Sequence, residues 1–159
     1  MLRVFHFSGT GNARNVAQWL VATWQERGAA AEAKDLAAQR VPEVTLGDED
    51  LLGIVSPTHG FNYPPVTLSF LFSLPRAPRR NKAVLVNTRA GLRLFGLYLP
   101  GLSGVALLLA ALVLLVKGYR IVGMRPIDLP SNWISLHPGL RKHNVAALHE
   151  RCERITRRF

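Results

Sequence analysis

The 159-residue chain has a single cysteine, Cys152. A lone thiol closes no internal disulfide, ligates no iron–sulfur cluster and completes no zinc site. It suits a reducing, intracellular compartment. Acidic residues are scarce as well: ten Asp and Glu stand against twenty Lys and Arg, a formal charge of +10. From Leu51 to Ile127 there is no acidic residue at all. The same stretch carries Arg76, Arg79, Arg80, Lys82, Arg89, Arg93, Lys117, Arg120 and Arg125. Such a segment favours anionic partners, of which lipid headgroups and acidic proteins fit best. No nucleic-acid-binding motif accompanies the charge, which argues against nucleic acid. The N-terminus lacks the apolar stretch and cleavage site of a secretory signal. The expected location is therefore cytoplasmic, with peripheral attachment to the inner membrane face left open. There is no internal repeat and no low-complexity tail. With 48% hydrophobic residues the chain can bury a core. Its length fits one domain spanning 1–159.

Apolar periodicity divides the chain into alternating strands and helices. Leu2–Phe7 is an apolar run ending in a Ser/Gly/Thr/Gly cluster, which predicts a strand. Ala13–Arg27 repeats apolar residues at helical spacing and is followed by Gly28, a helix with its C-cap. Ala29–Ala33, Leu51–Val55, Lys82–Val86 and Tyr119–Val122 are the further strands. Val66–Leu74, Val105–Val116 and Gly139–Arg158 are the further helices. This alternation predicts an α/β fold of three layers, with a five-stranded parallel sheet of order 2-1-3-4-5.

The loop Ser8-Gly9-Thr10-Gly11-Asn12-Ala13 joins the first strand to the first helix. Unpaired N–H groups and the helix dipole make that junction an anion site. Gly9 and Gly11 let the backbone close around a phosphate, while Ser8, Thr10 and Asn12 add side-chain donors. A nucleoside-triphosphate loop needs Gly-Lys-Ser/Thr at its end, and that lysine is missing. A dinucleotide fingerprint needs a small residue where Arg14 stands. Asp35 lies at a plausible ribose distance, so the dinucleotide alternative is weakened but stays open.

Phe7–Asn12 resembles the phosphate loop of flavodoxins. It is especially similar to flavodoxin-like domains that precede a two-cluster ferredoxin domain in some bacterial and archaeal proteins. Pro57-Thr58-His59-Gly60-Phe61-Asn62-Tyr63-Pro64-Pro65, Asn87-Thr88-Arg89-Ala90-Gly91 and Pro130-Ser131-Asn132-Trp133-Ile134 extend the similarity. One departure is Ala13, where many flavodoxins have threonine. The resemblance implies bound FMN, with Thr58–Tyr63 flanking the isoalloxazine and Asn87–Gly91 at its pyrimidine edge. Phe61, Tyr63 and Trp133 are then the stacking candidates, and Gly60 allows close approach to the ring. Arg89 would place a cation near the pyrimidine edge and raise the flavin potential. The implied partner is a ferredoxin-type iron–sulfur protein or domain. The chain is either the N-terminal part of a longer protein or works with a separate partner. A flavin-dependent oxidoreductase acting on a quinone-like substrate and a cofactor-free interaction domain are the competing functions. No catalytic acid–base pair, nucleophile or metal-ligand spacing stands out.

Gly96–Val116 is uncharged, and Val105–Val116 is apolar without a break. A surface helix of an α/β domain should show a polar face. Three expectations follow: a membrane span, a membrane-surface helix, or a helix covered by a further part of the same protein or by a partner subunit, as in a homodimer through helix 102–116.

Overall fold

The computed structural model describes residues 1–38, 44–94, 97–130 and 142–159. The elements are β1 (Leu2–His6), α1 (Asn12–Glu26), β2 (Ala31–Asp35), β3 (Leu51–Pro57), α2 (Pro65–Ser73), β4 (Lys82–Leu94), β5 (Leu97–Leu99), α3 (Ala106–Val116), β6 (Arg120–Pro130) and α4 (Lys142–Arg158). Five strands are parallel and run β2-β1-β3-β4-β6. That is the predicted 2-1-3-4-5 order once the last parallel strand is counted fifth. β5 is an additional short strand, antiparallel to the far end of β4.

Two cores cover the two faces of the sheet. On one, α2 and α3 pack over Phe5, Leu52, Ile54 and Leu85. On the other, α1 and Cys152 of α4 pack over Leu2, Val4, Val55, Val86 and Ile127. The sheet is buried on both faces, which is why β3 and the start of β4 read as continuous apolar runs.

Two strand ends differ from the sequence expectation. The apolar runs predict that β4 stops at Val86 and the last strand at Val122. The β4–β6 ladder instead continues to Gly91 opposite Pro130. Gly123 has the look of a break, yet it is a packing position. A Cβ there would come within 2.7 Å of the Phe159 ring. Asn87–Gly91, expected to be a loop, is therefore strand.

The amino ends of the strands are held by charge. Asp50 accepts from Arg3 Nε and Gly47 N–H, each at 2.9 Å, and its other oxygen lies 3.1 Å from the Met1 amino group. Asn81 Nδ2 donates to the carbonyls of Gly47, Asp48 and Asp50 and so fastens the acidic turn beside β4. Burial alone would raise the Asp50 carboxyl. Arg3, the Gly47 N–H and the amino group outweigh it and hold the carboxyl at about 2. A depressed carboxyl contributes stability that is complete above about pH 4 and is lost as pH falls through about 2. Asp50→Asn should thus cost about 1–3 kcal/mol at neutral pH, with the gap from wild type closing as the pH falls to 2. Urea unfolding at several pH values checks this; a gap that is constant with pH would contradict it.

Candidate functional site

Past His6 the chain turns through the loop and enters α1. Ser8 Oγ accepts the Gly11 N–H at 3.0 Å. Gly11 opens the helix at φ 95°, a left-handed conformation that disfavours any Cβ. No side chain caps α1, and its first turn holds no acidic residue. Among the described residues the positive end of the helix therefore has neither a capping side chain nor an acidic residue in its first turn. A Cβ added at Gly9 or Gly11 would meet nothing within 4 Å, so both border open space.

The space at Gly9 is a cleft of about 350 Å³ at the carboxyl ends of the strands, and Gly11 lies outside its lining; the volume is within the size range of small-ligand sites. Of the sequence-predicted residues, Ser8, Gly9, Thr10, Asn12, Ala13, Pro57, Thr58, His59, Thr88, Arg89 and Ala90 line it. Pro130 joins them. Asn12 also braces the loop: its Nδ2 donates to Pro130 O at 3.0 Å and ties the loop to the end of β6. His6, just before the loop, is buried, and desolvation lowers its pKa while Asp35 pulls the other way. A neutral imidazole adds no charge there. Asp35, the residue that keeps a dinucleotide open on sequence grounds, is already engaged. Its carboxylate accepts the Ala37 N–H at 2.9 Å and faces Arg14 at 3.5 Å.

The other predicted residues sit differently. Tyr63 is a stacking candidate by sequence. It is buried in the core instead, and its hydroxyl donates to Val86 O at 3.1 Å, so it presents no open face. Asn87 is fully buried; its amide donates to Thr58 Oγ1 at 2.7 Å and positions that residue from below. Its Oδ1 has no partner among the described residues. Gly91 packs against Asp128, where a Cβ would fall within 2.7 Å of the Asp128 Cβ. Trp133 lies outside the described residues.

His59–Asn62 is a tight turn closed by His59 N–H to Asn62 O at 2.7 Å and Asn62 N–H to His59 O at 3.1 Å. Its corners, Gly60 and Phe61, have φ of 55° and 65°, as a type I′ turn requires. A non-glycine residue there is strained, and Phe61 is 60% exposed at the turn's tip. Of the two stacking candidates among the described residues, Phe61 is the one with a free face.

Arg89 does not stand as an isolated cation. It makes a two-pronged pair with Asp128 at 2.6 and 3.2 Å and donates to Ser103 Oγ at 3.1 Å. Asp128 Oδ1 also accepts the Gly101 N–H at 2.8 Å. Val105 N–H donates to Phe61 O at 2.8 Å, and Gly104 sits so close that any Cβ would strike that carbonyl. Segment 101–105 is thereby clamped between the end of β6 and the Phe61 turn. Sequence reading misses Asp128, Ser103 and Gly104. One signal is available: Asp128 is the first acidic residue after the acid-free stretch.

The fold as a whole has known structural counterparts. It aligns with the two-electron reduced flavodoxin of Megasphaera elsdenii at TM-score 0.63 and 21% identity, covering 94% of this chain and 99% of that one. The fold is flavodoxin-like. Flavodoxin 1 of Bacillus cereus matches at TM-score 0.59 and 20% identity over 98% of this chain and 93% of that one. The rubredoxin oxygen:oxidoreductase of Desulfovibrio gigas matches at TM-score 0.56 and 15% identity over 99% of this chain. This chain spans 36% of the length of that oxidoreductase. No protein-family model matches the sequence, and no curated protein matches it.

Phe61→Gly should relieve the backbone strain and stabilise the protein by up to about 1 kcal/mol, measured by urea unfolding. A loss of stability would show instead that the ring holds the turn by packing.

Proposed function

We propose that this chain is an FMN-binding electron-transfer domain. The observation that carries the proposal is the uncapped, acid-free N-terminus of α1 opening on a cleft bordered by Gly9, Ser8 and Thr10. A terminal phosphate dianion compensates that helix end and accepts its N–H groups. Ser8 turns its hydroxyl between the Gly11 N–H and the phosphate. Thr58, His59, Thr88 and Ala90 border the rest of the cleft and would hold the flat ring of FMN, with Phe61 exposed at the tip of the turn that follows His59. Bound FMN supplies one- and two-electron transfer at that ring.

The Arg89–Asp128 pair gives the ring's surroundings a fixed dipole in place of a bare cation. The potential shift expected from Arg89 is therefore reduced by its partner. The fold match to flavodoxins and to part of a rubredoxin oxygen:oxidoreductase supports electron transfer as the role. The resemblance to flavodoxin–ferredoxin proteins supports an iron–sulfur protein or domain as the exchange partner. A second reading, an oxidoreductase acting on a quinone-like substrate, draws on the exposed Leu102, next to the Ser103 that accepts from Arg89 of the cleft, and on the exposed Phe61, two residues after the cleft's His59.

Titration of the purified chain tests the proposal. FMN should bind with quenching of flavin fluorescence, and riboflavin, which lacks the phosphate, about a hundredfold more weakly. Gly9→Asp places a carboxylate in open space beside the helix end and should abolish FMN binding without unfolding the domain. Equal binding of riboflavin and FMN would contradict the phosphate site. No flavin binding at all would leave the cofactor-free reading.

A further inference from the structure

α3 is built inside out. The residues it turns to the sheet are mostly small: Ala106, Ala110 and Ala111 are buried, with Leu114. Its larger side chains point outward, with Leu108, Leu112, Leu115 and Val116 all more than half exposed. Phe72 of α2, the helix packed on the same side of the sheet, is 60% exposed. α3 is eleven residues long, about 16 Å at 1.5 Å per residue. A bilayer's hydrocarbon core is about 30 Å thick. Among the described residues no helix is long and apolar enough to cross a membrane. The membrane span expected for this segment therefore does not fit.

A cationic rim is fastened to one end of this face. Lys117, just past α3, donates through Nζ to the carbonyls of Phe72 and Leu74 at the end of α2. Ala77 N–H donates to Lys117 O at 2.9 Å, and the Tyr119 hydroxyl to Pro75 O at 3.1 Å. These bonds hold the turn bearing Arg76, Arg79 and Arg80 beside the end of α3. All three arginines are exposed, and among the described residues only Arg79 meets a carboxylate, that of Asp48 at 3.1 Å. Lys82 and Arg120 start the neighbouring strands at the same end of the sheet.

We propose that this face docks on an anionic lipid bilayer, with α3 lying in the plane of the interface. The outward leucines enter the boundary between headgroups and acyl chains, and the arginine turn meets the acidic headgroups. Charge decides between this occupant and a second copy of the chain. The acidic turn Asp48–Asp50 borders this rim, with Asp48 paired to Arg79 and Asp50 to Arg3, and residues 51–127 of a second copy seated on α3 offer no further acidic side chain to Arg76 and Arg80. A bilayer rich in acidic lipid compensates both features at once.

Flotation with liposomes tests this, and the readout is independent of flavin. The full chain, with or without FMN, should bind phosphatidylglycerol–phosphatidylcholine vesicles at low salt. Binding should fall at least about tenfold on pure phosphatidylcholine or at high salt. Leu108→Glu with Leu112→Glu changes exposed positions only and should abolish binding, as should Arg76→Glu with Arg80→Glu, at unchanged melting temperature. Equal binding to neutral vesicles would overturn the charge half of the proposal. No binding by the wild type would overturn it whole. So would a sedimenting dimer that becomes monomeric in the leucine variant, which would assign the face to a second copy.

Discussion

The far wall of the cleft depends on one carboxylate. Asp128 pairs with Arg89 across the β4–β6 ladder and accepts the Gly101 N–H. Its Cβ lies where Gly91 has none, and its backbone carbonyl accepts from Cys152 Sγ at 3.1 Å. One residue thus joins two strands, the segment leading to α3, and α4. With both groups half-buried and hydrogen-bonded on several sides, the pair gains more than an exposed ion pair would. Cys152, placed beneath it, is pushed up to about 11, by burial first and by the nearby Asp128 charge second. The lone thiol therefore stays protonated and unreactive at neutral pH.

From that wall the cleft follows in sequence. Because β4 and β6 run on past their expected ends, β5 folds back against β4 and segment 101–105 reaches the Phe61 turn. Gly104 permits the close approach, and the Phe61 carbonyl is satisfied by Val105. The opposite wall is the β1–α1 loop, tied to β6 by Asn12 and Pro130. Both walls therefore hang from the end of β6, which fixes their separation. The uncapped helix end and the open space at Gly9 are what that separation leaves.

Much of this is legible in the sequence because it rests on local chemistry. The glycine-hydroxyl loop, the helix at residues 12–26 and the buried strands follow from residue type and period. Arg14 weakens the dinucleotide reading of the loop in the sequence, and the structure places Arg14 against Asp35 at 3.5 Å. The extension of β4 is not legible. Asn87-Thr88-Arg89-Ala90-Gly91 is polar and glycine-ended, so it reads as a loop. It is strand because a residue 39 positions away, Asp128, supplies the opposing charge. Tyr63 misleads for a related reason. An aromatic in a turn motif looks available for stacking, whereas α2 begins at Pro65 and directs Tyr63 into the core. The all-apolar α3 is visible as an anomaly, but which of its faces meets the sheet requires the fold.

The central claim is that the β1–α1 loop grips the phosphate of FMN. Amide chemical-shift mapping tests it most directly. On adding FMN, the N–H resonances of residues 8–13 should shift most, and downfield, with those of Thr58 and Thr88–Ala90 next. Addition of inorganic phosphate should move the first group alone. Shifts centred elsewhere, with the amides of 8–13 unmoved, would contradict the account.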